Sequence, residues 1–131
     1  MQFAYAYVAT LIIFAIFDFV WMRVFARNLY RSYVGHLLGP VRWGGVIVFN
    51  VVYVFGLTFY AVHPAVTTTA AGYALVLGGL FGLFVYTTYN FANYATLKHW
   101  PLPLTSIDIV WGVMVSALSS WLGFLIVTTL V

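Results

Sequence analysis

The sequence predicts an all-α membrane protein: a four-transmembrane-helix bundle with an interfacial amphipathic extension after helix 1. Three observations predict it. Apolar residues make up 65% of the 131-residue chain and charged residues 5%, against about 25% charged in an ordinary soluble domain. The apolar residues gather into four runs, each holding the roughly 20 residues needed to cross a hydrocarbon core about 30 Å thick. None of the runs alternates in the manner of a barrel strand, which leaves helices as the way to satisfy every backbone group in lipid.

The runs place helices at 3–34, 43–62, 72–97 and 107–131, all within a single integral membrane domain covering 1–131. The first crosses the membrane from Phe3 to Met22 and continues beyond it. Arg23, Arg27 and Arg31 then recur every four residues, a spacing that draws one stripe along a helix. Phe25, Leu29 and Val34 fall largely away from that stripe, so this segment should lie in the interface with its arginines snorkelling to water. Gly35 is placed to end it as a C-cap. The second helix follows Arg42, and His63 beside Pro64 reads as a loop residue after its end. The third opens at Gly72. The fourth follows Pro101 and Pro103, where Thr105-Ser106-Ile107-Asp108 fits a capping box. An acid in that first turn would also complement the helix dipole.

Charge placement sets the expected orientation. Four of the five basic residues, Arg23, Arg27, Arg31 and Arg42, lie between the first two runs. Lys98 lies between the last two, and the connection from Ala61 to Gly72 has no Lys or Arg. The positive-inside rule therefore puts the connections 23–42 and 98–106 in the cytoplasm and both termini outside. Trp21, Trp43 and Trp100 fall at those same helix ends, where indole rings favour the interface. The N-terminus lacks the positive segment of a signal peptide, and Asp18 interrupts its apolar run. The net charge of +3 is read as topology and headgroup contact, with no nucleic acid as partner.

The chain has two acidic residues, and each opens the same kind of phrase: Asp18-Phe19-Val20-Trp21 and Asp108-Ile109-Val110-Trp111. Placing an Asp at the centre of a membrane helix costs about 2.5–3.5 kcal/mol on the insertion scale, so such residues point to a partner or a task. The predicted topology brings Asp18, Asn50, Tyr89, Asn90, Asn93 and Asp108 into one leaflet. Gly78, Gly82, Tyr86, Asn90 and Asn93 share a face of the third helix, and Asp108, Gly112, Ser116 and Ser120 share one of the fourth. Small residues mark close helix approach, so both polar sets point into the bundle. The expected site is a cytoplasmic-side polar pocket with Asp18 and Asp108 as candidate acid–base residues. Asn50, Tyr89, Asn90, Asn93, Trp21 and Trp111 would contact a ligand there, with His36 and His99 near the mouth. Each has a structural alternative: a helix cap for Asp108, a salt link to Arg42 or Lys98 for Asp18, and interhelical hydrogen bonding for the asparagines. The repeated phrase does not mark a duplication, because helices one and four run in opposite directions.

Other chemistries find no support. The chain has no cysteine and no closely spaced histidine pair, so neither a metal nor a cofactor is expected. It also lacks a glycine-rich phosphate loop and a serine nucleophile motif.

Asp18-Phe19-Val20-Trp21, Gly35-His36-Leu37-Leu38, the run from Tyr89 to Leu97, Trp100-Pro101-Leu102 and the run from Thr105 to Gly112 resemble a family of small four-helix bacterial integral membrane proteins. That family is catalogued only as a domain of unknown function. The resemblance spans essentially the whole chain and is most specific from Tyr89 to Gly112. It implies a bacterial cytoplasmic membrane protein. It also implies that the position of Asn90 often carries Asp, a third carboxylate that this chain lacks, and it carries a weak association with membrane fatty-acid modification. It implies no activity.

The functional expectation is a pocket for an amphipathic ligand: a lipid, a fatty-acyl chain or an isoprenoid. Its polar end would lie among the acids and its chain along Phe, Leu and Val side chains. Two alternatives stay open: an accessory subunit of a membrane complex, and a dimeric proton-coupled transporter. The expected partners are membrane lipid and either a second copy or another membrane protein. Whether the protein is an enzyme is left open.

Overall fold

The computed structural model describes residues 2–35 and 42–130. Four helices in it are long and apolar enough to cross a membrane: Gln2–Phe25, Trp43–Thr68, Ala71–Thr96 and Leu102–Leu130. No strand occurs among the described residues. The protein is an integral membrane protein built as a four-helix bundle.

The first helix is continuous. α1 (Gln2–Val20) passes through a π-helical stretch (Trp21–Ala26) into α2 (Arg27–Val34). A π-helical stretch holds more residues per turn and shifts the facing of everything after it. The second span is α3 (Trp43–Leu57), a π-helical stretch (Thr58–Val62) and α4 (His63–Thr68). It therefore runs beyond the predicted end at 62, and His63 is helical, packed edge-on against Phe3. Pro64 does not stop the helix because it sits in the first turn of α4, directly after the widened turn that takes up its missing N–H. The helix ends instead at Thr69, which has a left-handed backbone. Backbone bonds from Thr69 to Val66 and from Ala70 to Ala65 close the end as a Schellman motif.

α5 (Ala71–Thr96) matches its predicted span closely. α6 (Leu102–Leu130) begins five residues before the predicted start. Pro103 falls in its first turn, where a proline has no hydrogen bond to lose, and the Thr105 N–H bonds back to the Pro101 carbonyl. Asp108 thus sits in the second turn, and no acid occupies the first. The capping reading of Asp108 is corrected accordingly, and the Thr105 hydroxyl is buried without a partner.

α6 is the central helix, packed most extensively on α5 and next on α1. Buried positions recur every four residues on both neighbours: Ala6, Thr10, Phe14 and Asp18 on α1, and Ala74, Gly78, Gly82, Tyr86 and Asn90 on α5. Such rows pack as ridges into grooves. Along the α5–α6 seam glycines let the helices approach closely. A Cβ on Gly78 would come within 2.8 Å of the Ser116 carbonyl, one on Gly82 would run into the Gly112 carbonyl, and one on Gly112 would enter the Tyr86 ring. Gly123 makes the same close approach to Thr10 of α1.

Candidate functional site

The small-residue seam fixes the two polar residues at its charged end. Asn90 lies one turn beyond Tyr86 on α5, and Asp108 one turn before Gly112 on α6. Asn90 is fully buried and donates from Nδ2 to Asp108 Oδ2 at 2.7 Å and to the Tyr86 carbonyl at 2.9 Å. The other carboxylate oxygen of Asp108 accepts from the Tyr30 hydroxyl at 3.3 Å. Tyr30 belongs to α2, beyond the membrane-spanning part of the first helix. Burial, and then the charge of Asp108, push its phenol above the ordinary tyrosine range, so it stays neutral and remains a donor.

Asp18 reaches the same place from α1. Its Oδ2 accepts one long bond, 3.4 Å from Asn50 Nδ2, and Asn50 also bonds the Val46 carbonyl of its own helix at 2.9 Å. No ion pair forms among the described residues, so the salt link to Arg42 or Lys98 is absent. Asp18 is only 9% exposed. Its Oδ1 has no hydrogen-bond partner among the described residues, yet it is not among the side-chain atoms sealed from solvent. Asp18 is one of the residues that line a cavity between the spans.

The cavity has a volume of about 520 Å³ and draws its walls from every span. Asp18, Trp21 and Met22 come from the first helix, and Tyr30 closes over it from α2. Val85, Tyr86 and Tyr89 come from α5, and Asp108 and Trp111 from α6. The exposed lining residues, Arg42 just before the second span, Gly45 and Phe49 within it and Tyr89 of the third, mark the rim. Trp21 and Trp111 stack with ring centroids 4.5 Å apart and an interplanar angle of 9°, within the range for attractive offset stacking. The π-helical stretch begins at Trp21, so the change of facing occurs where the first helix meets the cavity.

The site expected from sequence is gathered only in part. Asp18, Tyr89, Asp108, Trp21 and Trp111 line the cavity. Asn50 and Asn90 stand behind it, each holding one acid. Asn93 is half-buried, makes no side-chain hydrogen bond and lies off the wall. His99 is exposed, has a left-handed backbone and is likewise off the wall. His36 lies outside the described residues. Sequence reasoning missed Tyr30 as a partner of Asp108. It placed Tyr86 only in a packing ladder, although the Tyr86 side chain also faces the cavity. Among the described residues no cluster of three His, Cys, Asp or Glu side chains could hold a metal ion.

Against known proteins, residues 3–125 match the model of one family, described as a predicted membrane protein (DUF2177). The chain belongs to that family, whose function is unknown. No curated protein and no solved structure matches.

Proposed function

We propose that this member of the DUF2177 family binds an amphipathic membrane molecule in the cavity between its spans, with the ligand's polar end at Asp18 and its apolar length along Phe49, Val46, Val85 and Met22. One observation carries the reading. A cavity of about 520 Å³ with a mainly apolar wall contains the chain's only two acids. Ligand sites commonly combine an apolar wall with a few fixed polar groups, over volumes of roughly 300–1,000 Å³. On this reading the basic connections face the cytoplasm, as the arginines predict, and the ligand enters from that leaflet. A role in membrane-lipid modification fits the same pocket. The position of the acids favours binding over proton-coupled transport. Both lie at one end, whereas transporter sites lie near the midplane, and in this bundle the middle is filled by the glycine–serine seam.

Gly45 offers a direct test. It lies on the cavity rim, and a Cβ there would meet nothing within 4 Å. Gly45→Trp should therefore fill the cavity without disturbing the bundle. In nanodiscs, binding of a labelled monoacyl lipid should fall by at least about tenfold, roughly 1.4 kcal/mol, with helicity and thermal stability unchanged. Wild-type binding by this variant would remove the cavity from consideration.

A further inference from the structure

Two polar groups on residues that line the cavity have no hydrogen-bond partner among the described residues. The first is Asp18 Oδ1. The second is the hydroxyl of Tyr86, which makes no hydrogen bond and is not sealed from solvent, although the residue is only 8% exposed. Both residues line the same wall. Both groups sit on side chains held in place by their neighbours. The Tyr86 ring is pinned on one side by Gly112 and meets Tyr53 edge-on at 5.9 Å. Asp18 is held by Asn50. The neighbouring acid needs nothing more, since Asp108 already has one donor on each oxygen. The other buried groups without partners, such as the Trp111 indole N–H, are shut off from any ligand.

Polar groups that stay open to a mainly apolar cavity are free to bond a ligand, and the two open groups differ in kind. A carboxylate oxygen accepts, while a phenol both donates and accepts. We propose that the ligand's polar end is a hydroxyl group, donating to Asp18 Oδ1 and accepting from the Tyr86 hydroxyl. This inference rests on the pocket reading above and names the chemistry of its head group. A hydroxyl matches the pair whether Asp18 is charged or neutral, because it can reverse its own role. A carboxylate or phosphate head would bring a second anion against Asp18, with Asp108 beside it. Asn50, Asn90 and Tyr30 could not relieve that repulsion, because their protons are already directed at the two acids and at helix carbonyls; Arg42, the cation among the lining residues, is exposed at the rim and pairs with neither acid. An ammonium head would satisfy Asp18 but could not accept from Tyr86. A free long-chain alcohol and a hydroxyl-bearing glyceride present the same group.

The test compares probes of one chain length that differ only at the head: 1-dodecanol, dodecylamine and dodecanoate, with monododecanoylglycerol as the glyceride form. Binding to the full chain in nanodiscs is read by calorimetry. The expected order puts dodecanol or the glyceride first, with amine and carboxylate each weaker by about tenfold or more. The stronger of the two hydroxyl probes identifies the source. Tyr86→Phe keeps the ring on Gly112 and removes only the hydroxyl, so it should erase most of that preference while leaving amine binding unchanged. Asp18→Asn should weaken the amine most. Dodecanoate binding as tightly as dodecanol, or a Tyr86→Phe protein that keeps the full preference, would overturn the hydroxyl assignment and leave the pocket standing. Absence of binding by all four probes, with the protein folded, would overturn both.

Discussion

Asp18 and Asp108 open similar phrases and end at one cavity, but the bundle treats them differently. Asp108 is 4% exposed and is tied to two other helical segments, with α5 supplying Asn90 and α2 supplying Tyr30. Asp18 has one donor, from α3, at the long limit of a hydrogen bond. One acid therefore has a donor on each oxygen and ties helices together, while the other has a donor on one oxygen only among the described residues. The difference teaches that a costly intramembrane acid can be explained by its donors, and that the acid with too few donors marks the site.

The largest expected effect erases the contrast altogether. Gly112→Leu would drive a side chain into the Tyr86 ring, one turn from Asp108 and one turn from Asn90. Overpacking costs typically 1–3 kcal/mol, and here it should reach about 3 kcal/mol, since the obstacle is a pinned ring and a helix backbone. Separation of α5 from α6 would strip Asp108 of its best donor. The outcome to look for is loss of a single folded species in gel filtration and a steep fall in thermal midpoint; a variant as stable as the parent would show that the seam does not set the site. Next comes Asp108→Ala, which leaves the Tyr30 hydroxyl unpartnered and Asn90 with only a carbonyl. Hydrogen bonds to charged groups are worth about 1.5–3 kcal/mol in water-soluble proteins, and interhelical side-chain hydrogen bonds within membranes average about 0.6 kcal/mol. A total loss of about 1–3 kcal/mol is expected in reversible unfolding from mixed micelles. The smallest stability change belongs to Asp18→Asn, below about 1 kcal/mol, since an amide oxygen can keep the bond from Asn50. Equal destabilisation by the last two variants would break the distinction between the acids.

Much of this bundle is legible in sequence because lipid restricts the choices. Run length gave the four spans, and four-residue spacing gave the buried faces of α5 and α6. Clustering of Asp18, Asn50, Asn90 and Asp108 followed from helix direction alone. What was missed has definable causes. Tyr30 escaped because a wheel drawn at a constant 100° per residue loses its register across the π-helical stretch from Trp21 to Ala26, and nothing in the composition of that stretch announces it. The start of α6 was placed too late because two prolines were taken as a stop, whereas Pro103 is tolerated in a first turn. His63 was read as a loop residue for the same reason, with Pro64 beside it. Asn93 was included because it follows Asn90 at helical spacing. Its position lies off the row of Ala74, Gly78, Gly82, Tyr86 and Asn90, which repeats strictly every four residues. Tyr86 carried a usable signal that packing obscured: it is the one phenol in a row otherwise made of Ala, Gly and Asn.

The stacked indoles of Trp21 and Trp111 have a consequence for observation. Both line the cavity, one on the first span and one on the last, and with centroids 4.5 Å apart they are close enough to couple electronically. The molecule therefore carries its own optical gauge at the site. A guest that slides between or beside the rings, or a movement of the first span against the last, alters the emission and the near-ultraviolet dichroism of that pair. Trp43, Trp100 and Trp121 lie off the cavity wall and supply a steady background against which the change is read, with no label attached.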